Sequence, residues 1–406
     1  MARALVIHGH FHDLGGAEHF CFRVTDVLQN RFDEVVVLHS GRSPDLALIE
    51  QRTGIALSRV RFISVTMPPL IQGLVRGNAQ SFFLLQYAIV SRFARRIAPK
   101  FDLAVSTFAE CPIRATHMIQ NIHIPLLVSD AESLLYCGTP MSEMRRFAQT
   151  VYISLVKLIV GKQDLIAKQK TIANSEWTAG QFLRHYPDAD VRAIYHGIEV
   201  GLGETSPDWI PFKQRANRLT MIGRIAPPKR VEEGIYITEG LRKRGHDIGL
   251  DIIGTGTGEY FQHIQTLAAT RPWIRLHIDF SRAALETLAA GNKWGLHCYR
   301  FEHYGLAPGE MQALGCICFV HDSGGQREII ADSRQRYSDL EDAITKIDAT
   351  LRSPELQSQL LARAKLAASA HHGAAFIRKF QALVEQTLTP QIGLQPSESR
   401  RGFRKK

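Results

Sequence analysis

The stretch Phe301–Gly315, FEHYGLAPGEMQALG, gathers the residue types needed to hold a phosphorylated sugar. Glu302 and Glu310 stand eight positions apart, with Gly305, Pro308 and Gly309 between them. The pattern predicts an acid in a loop, a glycine turn, and a helix with the second acid in its first turn. Pro308 suits that turn and Gly315 suits the helix end. A helix amino terminus offers unpaired N–H groups and a positive dipole end to phosphate, while carboxylates accept hydrogen bonds from sugar hydroxyls. A nucleotide-sugar needs both. Either acid alone reads as a solvated charge or a complement to the helix dipole; the spacing of the two together argues for a site.

A second candidate is Gly223–Arg230, GRIAPPKR, where an apolar strand ends. Arg224 and Lys229 would then project from the carboxyl edge of a sheet, the edge at which open α/β sheets bind ligands. Two cations there could neutralise a diphosphate, Arg by forked hydrogen bonds and Lys as a point charge. A third is the loop LGGAE, Leu14–Glu18, where Gly15 and Gly16 allow backbone to approach a phosphate; a turn-only role competes evenly. His123, in QNIHIP, lies at an expected strand end; a lone histidine is more often a satisfied structural residue than a catalyst, and only its position raises its odds. GTGTG, Gly254–Gly258, misses the dinucleotide-binding spacing and reads as a structural turn. Asp188 and Asp190 follow Pro187 in a turn and are assigned no chemistry. The rival signal is His8, His10 and His12 followed by Asp13, which could hold zinc in a hydrolase, although no tight second cluster of ligands follows.

These residues need elements to hold them. Ala4–Gly9, Val35–His39, Phe101–Ser106, Pro125–Val128, Thr171–Ala173 and Val191–Tyr195 read as strands, with helices expected over 17–29, 79–98, 143–168 and 175–185. The pattern restarts at Leu219–Ile222 and continues through Gly249–Ile253, Ile274–Ile278 and Cys316–Val320, again with helices between. Strands alternating with helices argue for parallel sheets covered on both faces. The expected division is 1–198 as an amino-terminal Rossmann-like domain, 199–218 as linker, 219–370 as a second, nucleotide-binding Rossmann-like domain, 371–389 as a terminal helix and 390–406 as a basic disordered tail; the resemblance given below implies that the first is the acceptor side, the second the donor-nucleotide side and the helix a crossover.

At 406 residues the chain exceeds one ordinary core. Its net charge of +10 allows nucleic acid, an anionic membrane or an anionic substrate as partner. The basic residues are dispersed and form no recognised module, so a nucleic-acid-binding protein ranks below an enzyme. The six cysteines include no CxxC pair, which argues against a redox motif or a zinc ribbon. The first residues lack a signal-peptide layout, and no apolar run reaches the length of a membrane span. A cytoplasmic location is expected. Arg145, Arg146, Lys157, Lys162, Lys168 and Lys170 lie along an apolar helical stretch; peripheral contact with the inner face of an anionic membrane is one expectation, and a solvated helix face competes nearly evenly with it.

The chain resembles the retaining glycosyltransferases of family 4 over roughly Ala4–Leu388. The most specific carrier is the E-x7-E segment Glu302–Glu310, supported by GRIAPPKR and HDSGGQREII, His321–Ile330, and more weakly by LGGAE, ANSEWTAGQFL and AIYHGIE. The resemblance implies the GT-B architecture: an α/β chain of two Rossmann-like domains facing across a cleft, with the carboxyl-terminal helix crossing back to the first domain. It implies transfer of a sugar from GDP-mannose or a UDP-hexose to a glycan or lipid-linked hydroxyl, without cofactor or metal and without nucleic acid as partner. It gives Arg224 and Lys229 to the donor diphosphate, Glu310 to the ribose and Glu302 to the donor sugar. Backbone around Tyr304, Gly305 and Leu306 would meet sugar and phosphate, Gly15 and Gly16 would approach from the other domain, and His123 would lie against the donor sugar. Tyr304 stands where Phe is commoner, and His196 where Asn is usual. The EHYG and HDSGG variants resemble the lipid-linked mannosyltransferase branch.

Overall fold

Apolar runs in the amino-terminal half form strands β1 (Arg3–His10), β2 (Glu34–Ser40), β3 (Val60–Val65), β4 (Leu103–Ser106), β5 (Met118–Ile122), β6 (Lys170–Ala173) and β7 (Val191–Ala193). The computed structural model describes residues 1–12, 15–76, 82–128 and 142–389; the expected basic tail, Asp13, Leu14 and Cys137 lie outside them. These strands pair in parallel in the order β3-β2-β1-β4-β5-β6-β7. Ala4, Leu5, Val6 and Ile7 are fully buried, because helices cover both faces and every side chain of a central strand meets apolar neighbours.

The second half repeats the plan. Strands β8 (Ala216–Ile222), β9 (Gly249–Gly254), β10 (Ile274–Ile278), β11 (Asn292–His297), β12 (Ile317–His321) and β13 (Arg336–Tyr337) form a parallel sheet ordered β10-β9-β8-β11-β12-β13. Each sheet winds outward from its first strand, returns, and winds the other way. The order therefore reverses between β1 and β4 and again between β8 and β11. Loops leaving such a reversal diverge and open a crevice at the carboxyl ends of the strands. GRIAPPKR leaves β8, and the segment carrying Glu302 leaves β11.

Several boundaries differ from the sequence expectation. Pro125–Val128 is not a strand; the amides of Leu126 and Leu127 instead donate to the buried Glu110 carboxylate at 2.9 and 3.0 Å. The helix expected over 143–168 ends at Val160, where Gly161 turns to φ +93. β8 begins at Ala216, three residues before the apolar run, because Ala216 pairs across to Asn292.

Two chain crossings join the halves, and they are tied to each other. The Ile198 amide donates to the His371 carbonyl at 2.6 Å, and Ile198 bridges to His372. Gly197 sits at φ +81, where a Cβ would lie 2.6 Å from the Gly373 Cα, so neither crossing tolerates a side chain there. Beyond this point the helix Gly373–Leu388 returns to the first domain. Its Phe376, Phe380, Leu383 and Val384 share a core with Ala4, Val6, Phe20 and Val24.

Candidate active site

Gly305 adopts φ +107, a conformation that costs a residue with a Cβ but not glycine, and the helix Leu306–Ala313 starts directly after it. The first intrahelical bond runs from the Gly309 amide to the Gly305 carbonyl at 3.1 Å. Pro308 has no N–H, so the amides of Leu306 and Ala307 are the ones left at this helix end, with no side chain capping it. Because the helix begins at Leu306, Glu310 is its fifth residue and lies in the second turn, not the first as the sequence suggested. It still faces the same rim.

Glu302 lies between two partners. Lys229 Nζ reaches its Oε2 at 3.1 Å and His297 Nε2 reaches the same oxygen at 3.2 Å. Burial alone would raise this carboxyl, but Lys229 and His297 outweigh it and hold it well below the usual carboxylate range. Lys229 also sits over the Tyr299 ring, 4.1 Å from its centroid. Arg224, exposed, borders the same small cleft as Gly223, Lys229 and His297. The loop His321–Gly325 fixes Glu302 from behind. The Gly325 amide donates to the Glu302 carbonyl at 2.6 Å, and a Cβ on Gly324 would fall 2.3 Å from that carbonyl oxygen.

Glu310 is held by Arg282, whose Nη1 donates at 2.9 Å. Burial pushes the Glu310 carboxyl up, with Arg282 opposing. Arg282 bonds in addition to Glu286 at 2.6 Å and to the Glu199 carbonyl at 3.0 Å, so one guanidinium joins the rim to the interdomain linker. Arg23, buried on the first domain, completes the link by bonding to the carbonyls of His196 and Gly197 and pairing with Glu199. Sequence reasoning singled out neither arginine, nor His297. Only His297 left a signal, five residues before Glu302 at a strand end.

From the first domain, Gly15 is the N-cap of the helix Gly16–Gln29, and its amide donates to Glu18 Oε2 at 2.9 Å. A Cβ on Gly16 would lie 2.9 Å from Leu306 Cδ1, so the two helix ends meet across the cleft at this residue. His123 follows β5, and its Nε2 pairs with the Thr107 carbonyl at 3.0 Å. Burial pushes its imidazole down to about 4, so it is neutral near neutral pH. The Tyr304 side chain points away from the cleft, buried beside Tyr195 and His371 under the crossing; its backbone alone is on the rim. The structure thus brings Arg224, Lys229, Glu302, Gly305, Leu306 and Glu310 onto one rim, with Gly15, Gly16 and His123 opposite.

The rival signals fare differently. His8 is fully buried, with Nδ1 3.0 Å from Thr107 Oγ1, while the His10 and His12 rings lie against each other and His12 Nε2 pairs with Gln86. Among the described residues no group of three or more His, Cys, Asp or Glu side chains is placed to hold a metal ion. Gly254 packs so closely that a Cβ would sit 1.9 Å from the Gly223 carbonyl oxygen, a structural reason for the first glycine of GTGTG.

Residues 204–366 match the family described as glycosyl transferases group 1. The chain carries a group 1 glycosyltransferase domain. The matched segment contains both cations and both acids of the rim. No curated protein matches the sequence. Among solved structures, the glycosyltransferase is similar to Anabaena HepE in complex with UDP and glucose, at 13% identity and TM-score 0.67, over 95% of this chain and 100% of that one. It is similar to WaaG, a glycosyltransferase involved in lipopolysaccharide biosynthesis, at 15% identity and TM-score 0.66, over 94% and 99% of the chains. Sucrose-phosphate synthase from Thermosynechococcus elongatus matches at 14% identity and TM-score 0.66, over 95% and 98%. At these identities the likeness is one of fold, and that fold is GT-B: two Rossmann-like domains, with the last helix of the glycosyltransferase returning to its first domain.

Proposed function

We propose that this glycosyltransferase moves a hexose from a nucleoside diphosphate to a hydroxyl of a glycan or lipid-linked acceptor, with retention of anomeric configuration and without a metal ion. The observation that carries the reading is the convergence of Lys229, Arg224 and the uncapped amides of Leu306 and Ala307 beside Glu302 and Glu310. As the bond to the leaving diphosphate breaks, negative charge grows on its oxygens. Arg224, Lys229 and the helix end would stabilise that charge, which is the task a divalent cation performs elsewhere. Glu310 would accept hydrogen bonds from the ribose, and Glu302 would orient the donor sugar. His123, neutral and opposite, would lie against that sugar. No carboxylate is an obvious covalent nucleophile, so attack on the same face as the departing phosphate is favoured. On this reading residues 1–198 hold the acceptor and 219–370 the donor, and closure between them excludes water.

The nucleotide is GDP or UDP. HepE, whose structure contains UDP and glucose, supports UDP, while the EHYG and HDSGG segments favour GDP-mannose. A donor screen for nucleotide release and for thermal shift tests the proposal. Lys229→Ala should lower kcat/KM by about 10²–10³, and Glu310→Ala should abolish the thermal shift given by the donor. Normal transfer by both variants would overturn the site.

A further inference from the structure

The helix Glu143–Val160 is apolar on two opposite sides. Ile153, Val156 and Val160 are buried against the first domain. On the other side Met144, Phe147, Val151, Leu155 and Leu158 are 81, 72, 43, 55 and 77% exposed. At 3.6 residues per turn these five fall within an arc of about 80°, so they form one continuous stripe. Scattered exposed hydrophobics need no explanation; five on one helix face do.

We propose that this stripe docks the glycosyltransferase onto an anionic lipid surface. The charges around it choose that partner. Arg146 is exposed on the same helix, on its flank about 100° of arc from the nearest stripe residue, and Lys162 is exposed just beyond its end. Arg92 and Arg96 are exposed on the helix Phe83–Ile97, which packs along it and whose Arg95 bonds to the Val160 carbonyl. Against these stand Glu143 and Asp164, the latter 4.0 Å from Lys168. A second copy docked on the stripe would set these cations against their own equivalents, whereas phosphate headgroups attract them. No helix among the described residues is long and apolar enough to cross a membrane, so the helix would lie in the interface plane with Phe147 and Leu158 below the headgroups. Lys170, expected from sequence to share this surface, does not: its Nζ turns to the Gln386 carbonyl and Thr387 on the crossover helix.

The test is sedimentation of the full chain with vesicles of phosphatidylglycerol and phosphatidylcholine, against vesicles of phosphatidylcholine alone, at low and high salt. Binding should require the anionic lipid and fall as salt rises. The double variant Phe147→Ser/Leu158→Ser should bind about tenfold more weakly or worse, with an unchanged melting temperature and unchanged transfer to a water-soluble acceptor. Arg146→Gln should weaken binding less, and only at low salt. Absence of binding by the parent chain, or equal binding by the double variant, would overturn the proposal. So would a concentration-dependent dimer that the double variant abolishes, since the stripe would then be an interface between copies. None of the overturning outcomes, which are vesicle binding and dimerisation, depends on the donor site, so this proposal and the glycosyl-transfer reading can fail separately.

Discussion

Two helix ends face each other across the cleft, and they are built differently. At Leu306–Ala313 the N-cap is a glycine at positive φ and no side chain satisfies the exposed amides. At Gly16–Gln29 the chain supplies its own anion, because Glu18 folds back onto the Gly15 amide at 2.9 Å. A carboxylate already at a helix end repels a second anion as well as filling a donor. The open end therefore suits the diphosphate. The filled end offers close approach, which Gly16 provides beside Leu306. Glycine-rich sequence alone would have treated the two as equivalent.

The sharpest way to break this contrast is at Gly305. A Cβ there meets Gln326 Cβ and Pro308 Cγ at 3.1 Å, at a φ that disfavours side chains. Gly305→Ala should turn the Leu306 and Ala307 amides off their target and lower kcat/KM by about a hundredfold. A value near that of the parent would mean that the open end does not meet the transition state. Next in size is Gly16→Ala, whose methyl would press on Leu306 Cδ1 at 2.9 Å. Leu306 can yield, so a loss of roughly tenfold in kcat/KM is expected, from incomplete closure. The smallest effect belongs to Glu18→Gln, which removes the resident charge and keeps an acceptor for Gly15. Donor KM should change by less than about threefold; a marked fall in KM would place the phosphate at the amino-terminal end instead.

A pH series sharpens the same comparison from the first-domain side. The folded His123 titrates at about 4, below its unfolded value of 6.5. Its neutral form is the one that folding favours, so its contribution to stability is complete above pH 6.5 and is lost as pH falls toward 4. His196, His297 and His19 are likewise lowered by burial and act in the same direction. Melting temperature should decline between pH 6.5 and 4, and less steeply in His123→Gln, while transfer above pH 6.5 shows no step from His123. A parallel decline in the variant would remove His123 from this account.

Much of this architecture is local and could be read from the chain. Fully apolar runs such as Ala4–Ile7 and Ile317–Val320 must be buried on both faces, which fixes parallel strands. Gly305 and the two acids announce a turn and a helix whatever lies around them. The sequence misplaced Pro125–Val128 because an apolar run looks the same whether it joins a ladder or wraps a buried carboxylate such as Glu110. It said nothing of Arg282 or Arg23, whose roles exist only through partners 28 and 176 residues away, and of His297 it showed only a place at a strand end five residues before Glu302. Nor could it show that the helix Glu143–Val160 has more apolar face than the domain covers, since covering is decided by neighbours. Periodicity and backbone preference travel with the residue and its near neighbours; charge pairing, burial and the facing of two helix ends are set by groups that only folding brings within reach.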